Sequence, residues 1–88
     1  MYLYLGNDTI IRQNDIVGIF DLDNSTGSLK TREFLSNAEK QGKVINVSSD
    51  LPKSFVICRE KNDFKVYICR LSPVTLMKRS SQVSRALE

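Results

Sequence analysis

The chain contains no histidine and no common catalytic or nucleotide-binding motif. Histidine is the side chain that most often serves as general acid, general base and metal ligand. The four glycines stand singly along the sequence, so they form neither a nucleophile elbow nor a glycine-rich phosphate loop. We therefore expect a protein that is not an enzyme and carries no cofactor.

Cysteines are also few, and both, Cys58 and Cys69, fall inside predicted strands. Met1 to Leu5 is apolar but lacks the length and the basic start of a signal peptide, so nothing indicates an oxidising compartment. Without histidine, two cysteines cannot complete a four-ligand zinc site unless carboxylates join them. We predict two buried thiols that pack as small apolar groups.

One pair of carboxylates, Asp21 and Asp23, has a spacing that could hold a divalent cation. No third carboxylate stands near it in the sequence. We therefore interpret the pair as strand-end and turn residues and predict no metal site.

Long apolar runs are missing as well, and none approaches the roughly 20 residues of a membrane-spanning helix. The 88 residues, 41% of them hydrophobic and 26% charged, suit one globular domain over 1–88, in which about 81–88 form a frayed tail. We expect a cytoplasmic protein that has no membrane partner.

The chain is organised around a predicted hairpin that leads into a helix. Phe55–Cys58 and Phe64–Leu71 are apolar runs, and a two-residue loop at Asn62-Asp63 would pair Ile57 with Ile68 and Glu60 with Lys65. Both faces of this hairpin are apolar towards its base. We expect one face to pack on the chain's own helices and the other on a second subunit or a second layer of the same chain.

The remaining elements complete an α+β prediction: a small, mainly antiparallel sheet of about five or six short strands, one central helix and a C-terminal helix. Residues 1–5 and 9–12 form a first hairpin, whereas 16–22 is the longest apolar run and reads as a central strand covered on both faces. A helix over 28–41 ends at Gly42. After a short strand at 44–47 and the main hairpin, the last helix begins with Ser72 as N-cap and Pro73 at its first position.

Charge is distributed unevenly. Residues 1–50 hold five basic and seven acidic side chains, a net charge of −2, whereas 51–88 hold eight basic and three acidic ones, a net charge of +5. A basic half on a mildly acidic domain indicates an anionic partner, although an ordinary solvated surface is the alternative. The candidate phosphate-binding residues are Lys53, Arg59, Arg70, Lys78, Arg79 and Arg85.

Three segments resemble a known family. MYLYLGNDTIIRQNDIVGIFD, LPKSFVI and YICRLSPVTLMKR are similar, in order and spacing, to the small bacterial extracellular matrix regulators of the RemA/RemB type, and more to the RemB branch. The resemblance implies a compact sheet with helices, ring-like homo-oligomers and, in the RemA branch, DNA binding that controls matrix and biofilm genes. It also shows a departure: where RemA-type proteins carry arginines, this chain has Asp15 and, around Pro52, only Lys53 as a cation.

The leading hypothesis is a homo-oligomeric DNA-binding transcriptional regulator of matrix genes that contacts phosphates repeatedly. The alternative is an oligomeric adaptor that binds protein, for example a RemA-like regulator, and no DNA. An RNA-binding barrel is disfavoured because the strands lack a basic-aromatic recognition motif.

Overall fold

A computed structural model describes residues 2–22 and 29–86, without the side chains of 80–86. In that part of the chain the structure has six strands and two α-helices, which confirms the predicted α+β class. The strands are β1 (Tyr2–Gly6), β2 (Thr9–Arg12), β3 (Ile16–Asp21), β4 (Val44–Asn46), β5 (Ser54–Glu60) and β6 (Asp63–Cys69). The helices are α1 (Leu29–Lys40) and α2 (Pro73–Ala86).

The first hairpin is confirmed as a separate two-stranded sheet, β1 against β2. Its turn places Asn7 and Asp8 at φ +47° and +59°, the left-handed conformation that Asn and Asp tolerate best among side-chain-bearing residues. Alternation along β1 then directs Leu3 and Leu5 into the core and both tyrosines of β1 outwards.

The other four strands form one sheet in the order β3-β5-β6-β4. The β3–β5 and β5–β6 pairs are antiparallel, and β4 runs parallel to β6. The prediction that residues 16–22 form the central strand was wrong, because the hairpin of β5 and β6 occupies the centre and leaves β3 at an edge. Val17, where the β3 register is interrupted by a bulge, is accordingly 61% exposed.

The loop of the central hairpin is Lys61-Asn62, not the predicted Asn62-Asp63. Ile57 therefore faces Val66, and Glu60 faces Asp63, so the expected ion pair between Glu60 and Lys65 does not form. The register differs from the prediction by two residues, which leaves each side chain on its predicted face. The physical reason lies outside the hairpin: Asp63 pairs with Lys43 at the start of the neighbouring strand.

Both faces of the four-stranded sheet are covered by the same chain. On one face Phe55 and Val66 pack against Ala38 of α1, with Phe34 and Leu35 beside them. On the other face, the first hairpin and α2 contribute Leu3, Leu5, Ile11 and Leu76 against Val56, Cys58 and Cys69. Of the two expectations for the second face, the second layer of the same chain is therefore the one observed, so the sheet alone does not require another subunit.

The predicted helix ends are confirmed where the structure describes them. Gly42 has φ +72° after α1, and the Thr75 N–H donates a 3.2 Å hydrogen bond to the Ser72 hydroxyl at the start of α2. Asp23, the loop at 24–27 and Ser28 lie outside the described residues. Within the described ranges, no helix is long and apolar enough to cross a membrane.

Candidate nucleic-acid interface

Two of the predicted cations lie side by side where the central hairpin ends. Ser54, the first residue of β5, pairs with Cys69, the final residue of β6. Beyond this pair, the Lys53 N–H donates a 2.8 Å hydrogen bond to the Cys69 carbonyl. Lys53 and Arg70 therefore extend from adjacent strand ends, and both side chains are exposed. Their amino and guanidinium groups are available to an anion approaching this end of the sheet.

Arg79 reaches the same end from α2. Its Nη1 donates a 3.2 Å hydrogen bond to the carbonyl of Tyr4 in β1, so the guanidinium is held between the helix and the first hairpin. Lys78, the preceding residue, is exposed on α2. The predicted site residues Lys53, Arg70, Lys78 and Arg79 thus come from the strand ends and the helix that follows them.

A cleft of about 230 Å³ lies between the turn of the first hairpin and α2. Arg70 and Arg79 both line it, with Asn7 and Ser48 among the other lining residues. The Asn7 amide is fixed by a 2.5 Å hydrogen bond to the Val47 carbonyl. We refer to this space as the Arg70–Arg79 cleft.

One acidic group opposes the cations. Asp50 Oδ2 lies 3.9 Å from Arg70 Nε, and the two side chains are 71% and 60% exposed. That separation exceeds a hydrogen bond, and an exposed pair of this kind contributes little to stability. Arg70 can therefore exchange Asp50 for another anion at small cost.

Arg59 is separated from this group. It lies near the other end of β5, five residues from Ser54, which corresponds to roughly 17 Å along a strand. It lines a second cleft, of about 190 Å³, together with Arg12, Asp15 and Glu60. Because this surface mixes both signs of charge, it attracts a polyanion less than the end that carries Lys53 and Arg70. The side chain of Arg85 lies outside the described part of the chain.

Tyr4, Asn7 and Ser48 belong to the cleft but were not among the predicted site residues. They are uncharged and belong to the first hairpin and to the loop after β4. The packing of that hairpin against α2 brings Tyr4 and Asn7 beside the arginines, and the parallel pairing of β4 with β6 brings Ser48 there. No local sequence pattern marks this arrangement.

The two cysteines are free and buried, as predicted. Burial raises the pKa of each thiol to about 11, and for Cys58 the carboxylate of Asp15 adds to the effect. The raised pKa favours the protonated thiol at neutral pH, and a protonated thiol is a weak nucleophile. No group of three potential metal ligands occurs among the described residues.

Comparison with known proteins identifies the family of this small α+β chain. The family model RemA-like, described as extracellular matrix regulatory protein A-like, matches residues 2–79, and the chain belongs to this family of extracellular matrix regulators. The chain is also 35% identical over 80 residues to Extracellular matrix regulatory protein B of Bacillus subtilis (strain 168). That alignment covers 91% of this chain and 90% of the relative, and it confirms the resemblance found in the sequence.

Proposed function

We propose that this protein is a cytoplasmic, non-enzymatic regulator that binds DNA as a homo-oligomer and thereby controls the transcription of extracellular matrix genes. The observation that carries the proposal is the grouping of Lys53, Arg70 and Arg79 at one end of the sheet. Membership of a family of matrix regulators supports the biological role.

The contacts would be made to phosphates and would depend on salt. Each neutralised phosphate contributes a slope of about −0.9 to a plot of log affinity against log salt concentration. Three such contacts per subunit give roughly −2.7 for each subunit bound. One subunit would bind weakly, whereas several copies on one duplex gain greatly in avidity.

Self-association is supported by the outer face of the first hairpin. Tyr2 and Ile10 are 61% and 59% exposed, and Tyr4, directly opposite Ile10, is also exposed. Neighbouring exposed apolar side chains are typical of surfaces that are buried in an assembly. A second copy of the chain would cover them.

The test is fluorescence anisotropy with labelled duplex DNA over a series of salt concentrations. Arg70→Gln and Lys53→Gln should each weaken binding and reduce the salt slope by about 1 for every phosphate that is no longer neutralised. Arg59→Gln is the matched control, because it removes the same charge from the other end of β5, and it should change affinity little. Absence of salt-sensitive binding at micromolar protein, or an equal decrease in affinity for all three variants, would contradict the proposal.

Assembly is measured in parallel by size-exclusion chromatography with light scattering, with and without DNA. A mass that is a multiple of the 10.0 kDa chain is expected, and Ile10→Lys should reduce it. A monomer at every concentration would remove the oligomeric part of the proposal.

The exposed face of the first hairpin also fits the alternative function, an adaptor that binds a protein such as a RemA-like regulator. Asp15 is partly exposed, with its Oδ2 3.9 Å from Arg12 Nε, and its negative charge would repel rather than attract a phosphate backbone. Pull-down from a native lysate distinguishes the two functions. DNA binding predicts partners that nuclease treatment releases, whereas an adaptor predicts partners that remain.

A further inference from the structure

We propose that the Arg70–Arg79 cleft binds a small ligand through a terminal phosphate group, whereas the backbone phosphates of DNA contact the same arginines only at the rim of the cleft. The ligand class comprises inorganic phosphate and phosphorylated metabolites, which share the same anionic group. The inference does not depend on DNA binding, because it rests on the shape and the donor groups of the cleft.

Two guanidinium groups from different elements supply the charge. Arg79 uses Nη1 for the Tyr4 carbonyl, so its remaining N–H groups can be directed at a ligand. Arg70 has only the 3.9 Å contact with Asp50 among the described residues. Guanidinium groups bind phosphate oxygens in pairs, and two of them lining one cleft can neutralise a doubly charged group.

Neutral groups around the arginines can complete the hydrogen bonds. The Ser48 hydroxyl accepts a hydrogen bond from the Asp50 N–H at 3.1 Å, so its own proton is left to donate to a ligand oxygen. Asn7 also lines the cleft, and its amide is already held by the Val47 carbonyl. Part of the cleft is therefore fixed in position before a ligand arrives.

Shape favours a monoester over the DNA backbone. A space of about 230 Å³ is smaller than the sites that hold drug-sized molecules, but it accommodates one phosphate group. A terminal phosphate carries a charge between −1.5 and −2 at neutral pH, with three free oxygens, and can enter a concavity end-on. A backbone phosphate has two free oxygens and is flanked by sugars on both sides, so it would remain at the rim.

Asp50 gives the proposal a distinctive consequence. Its carboxylate lies 3.9 Å from Arg70 Nε, where it competes with a phosphate for the guanidinium. Asp50→Asn removes this competition and should tighten binding, whereas removal of an unrelated surface acid should not.

The experiment is a ¹H–¹⁵N NMR titration of the full chain with inorganic phosphate and with adenosine 5′-monophosphate at constant ionic strength. Saturable shifts are expected for residues 4–7, 48, 70–71 and 79, with a dissociation constant in the millimolar range or lower. Arg70→Gln should weaken binding at least tenfold. Arg70→Lys should bind more tightly than Arg70→Gln but less tightly than the parent chain. Asp50→Asn should strengthen binding severalfold. Arg59→Gln should bind like the parent chain.

Several results would overturn the proposal. These are shifts that sodium chloride reproduces, shifts distributed over all basic residues, or affinity that Arg70→Gln leaves unchanged in a protein whose spectrum remains that of the folded chain. A short DNA duplex supplies the remaining comparison. If the duplex displaces adenosine 5′-monophosphate and shifts Asn7 and Ser48 as well as Arg70 and Arg79, backbone phosphates enter the cleft and the monoester assignment is wrong. Duplex shifts at Lys53, Arg70 and Arg79 without Asn7 and Ser48 fit DNA held at the rim and support the assignment. Phosphate binding without any DNA binding would support the cleft and contradict only the DNA function.

Discussion

The hydroxyl of Ser54 donates a 2.7 Å hydrogen bond to the carbonyl of Leu71, and Ser54 is fully buried. This hydrogen bond joins the first residue of β5 to the segment between β6 and α2. Lys53 directly precedes Ser54, and Arg70 directly precedes Leu71. One buried hydrogen bond therefore fixes the strand ends from which the two cations extend.

Ser54→Ala should destabilise the fold by about 0.5–1.5 kcal/mol, because it removes the hydrogen bond that the fully buried Ser54 hydroxyl donates to the Leu71 carbonyl. Urea unfolding, with midpoint and slope fitted separately, measures the change. Ser49→Ala is the control, since Ser49 is exposed and should shift stability by no more than about 0.5 kcal/mol. Equal midpoints for the two variants would show that the hydrogen bond contributes nothing measurable.

Leu76 and Met77 are adjacent on α2 but differ completely in environment. Leu76 is fully buried against the first hairpin and the sheet, whereas Met77 is 59% exposed. Leu76→Ala should cost about 2–5 kcal/mol, because it removes apolar packing and leaves a cavity behind. Met77→Ala should change stability by about 0.5 kcal/mol or less.

Thermal or urea unfolding of both variants checks this arrangement of the second layer. A small effect of Leu76→Ala would mean that α2 does not cover this face of the sheet in solution. In that case the apolar face would again require another subunit.

Asp63 should titrate below its ordinary pKa of 3.8. Lys43 Nζ lies 2.6 Å from Asp63 Oδ1, and the Phe64 N–H donates to the same oxygen at 2.8 Å. The Lys43 hydrogen bond is the main cause of the lowered pKa. Because the folded-state pKa is depressed, the stabilisation is present above the unfolded-state pKa and is lost as the pH falls through the folded-state value.

Carbon-detected NMR of the Asp63 carboxyl group measures this pKa directly. Lys43→Gln should raise it towards 3.8 and remove the associated loss of stability in acid. Lys40→Gln removes the same charge from the exposed last turn of α1 and should leave the Asp63 titration unchanged. A pKa that does not respond to Lys43→Gln would exclude the ion pair as its cause.

The features that the sequence predicted correctly depend on neighbouring residues. The first hairpin, the α1 end at Gly42 and the Ser72 cap follow from local turn, capping and alternation rules. Strand order depends instead on contacts between distant segments. The apolar run of β3 fits an edge or a central strand equally well, and β4 pairs with β6 across some twenty residues of chain.

The candidate site was predictable only in part. Charge identified Lys53, Arg70, Lys78 and Arg79, because cations are visible in a sequence without knowledge of the fold. These four cations lie at one end of the sheet and Arg59 lies at the other, and this separation follows from the strand directions. The polar residues of the cleft depend on how the first hairpin packs against α2 and on how β4 pairs with β6, which no local pattern specifies.

The central turn provides a final prediction, because there a local preference and a tertiary interaction disagree. Asn62-Asp63 is the better turn pair by composition, yet the structure places Lys61 at φ +55°, a conformation that costs a side-chain-bearing residue about 1 kcal/mol or more. The ion pair between Asp63 and Lys43, together with the pairing of β4 with β6, holds the strand in this register.

Lys61→Gly should therefore stabilise the protein, by up to about 1 kcal/mol, because glycine adopts positive φ without steric cost. Asn62→Gly should bring no gain, since Asn62 is not at positive φ and glycine increases the entropy of the unfolded chain. Urea unfolding of the two variants side by side measures the difference. If Asn62→Gly were the stabilising substitution instead, the left-handed residue would lie one position later, and the register deduced from the sequence would be favoured over the one described above.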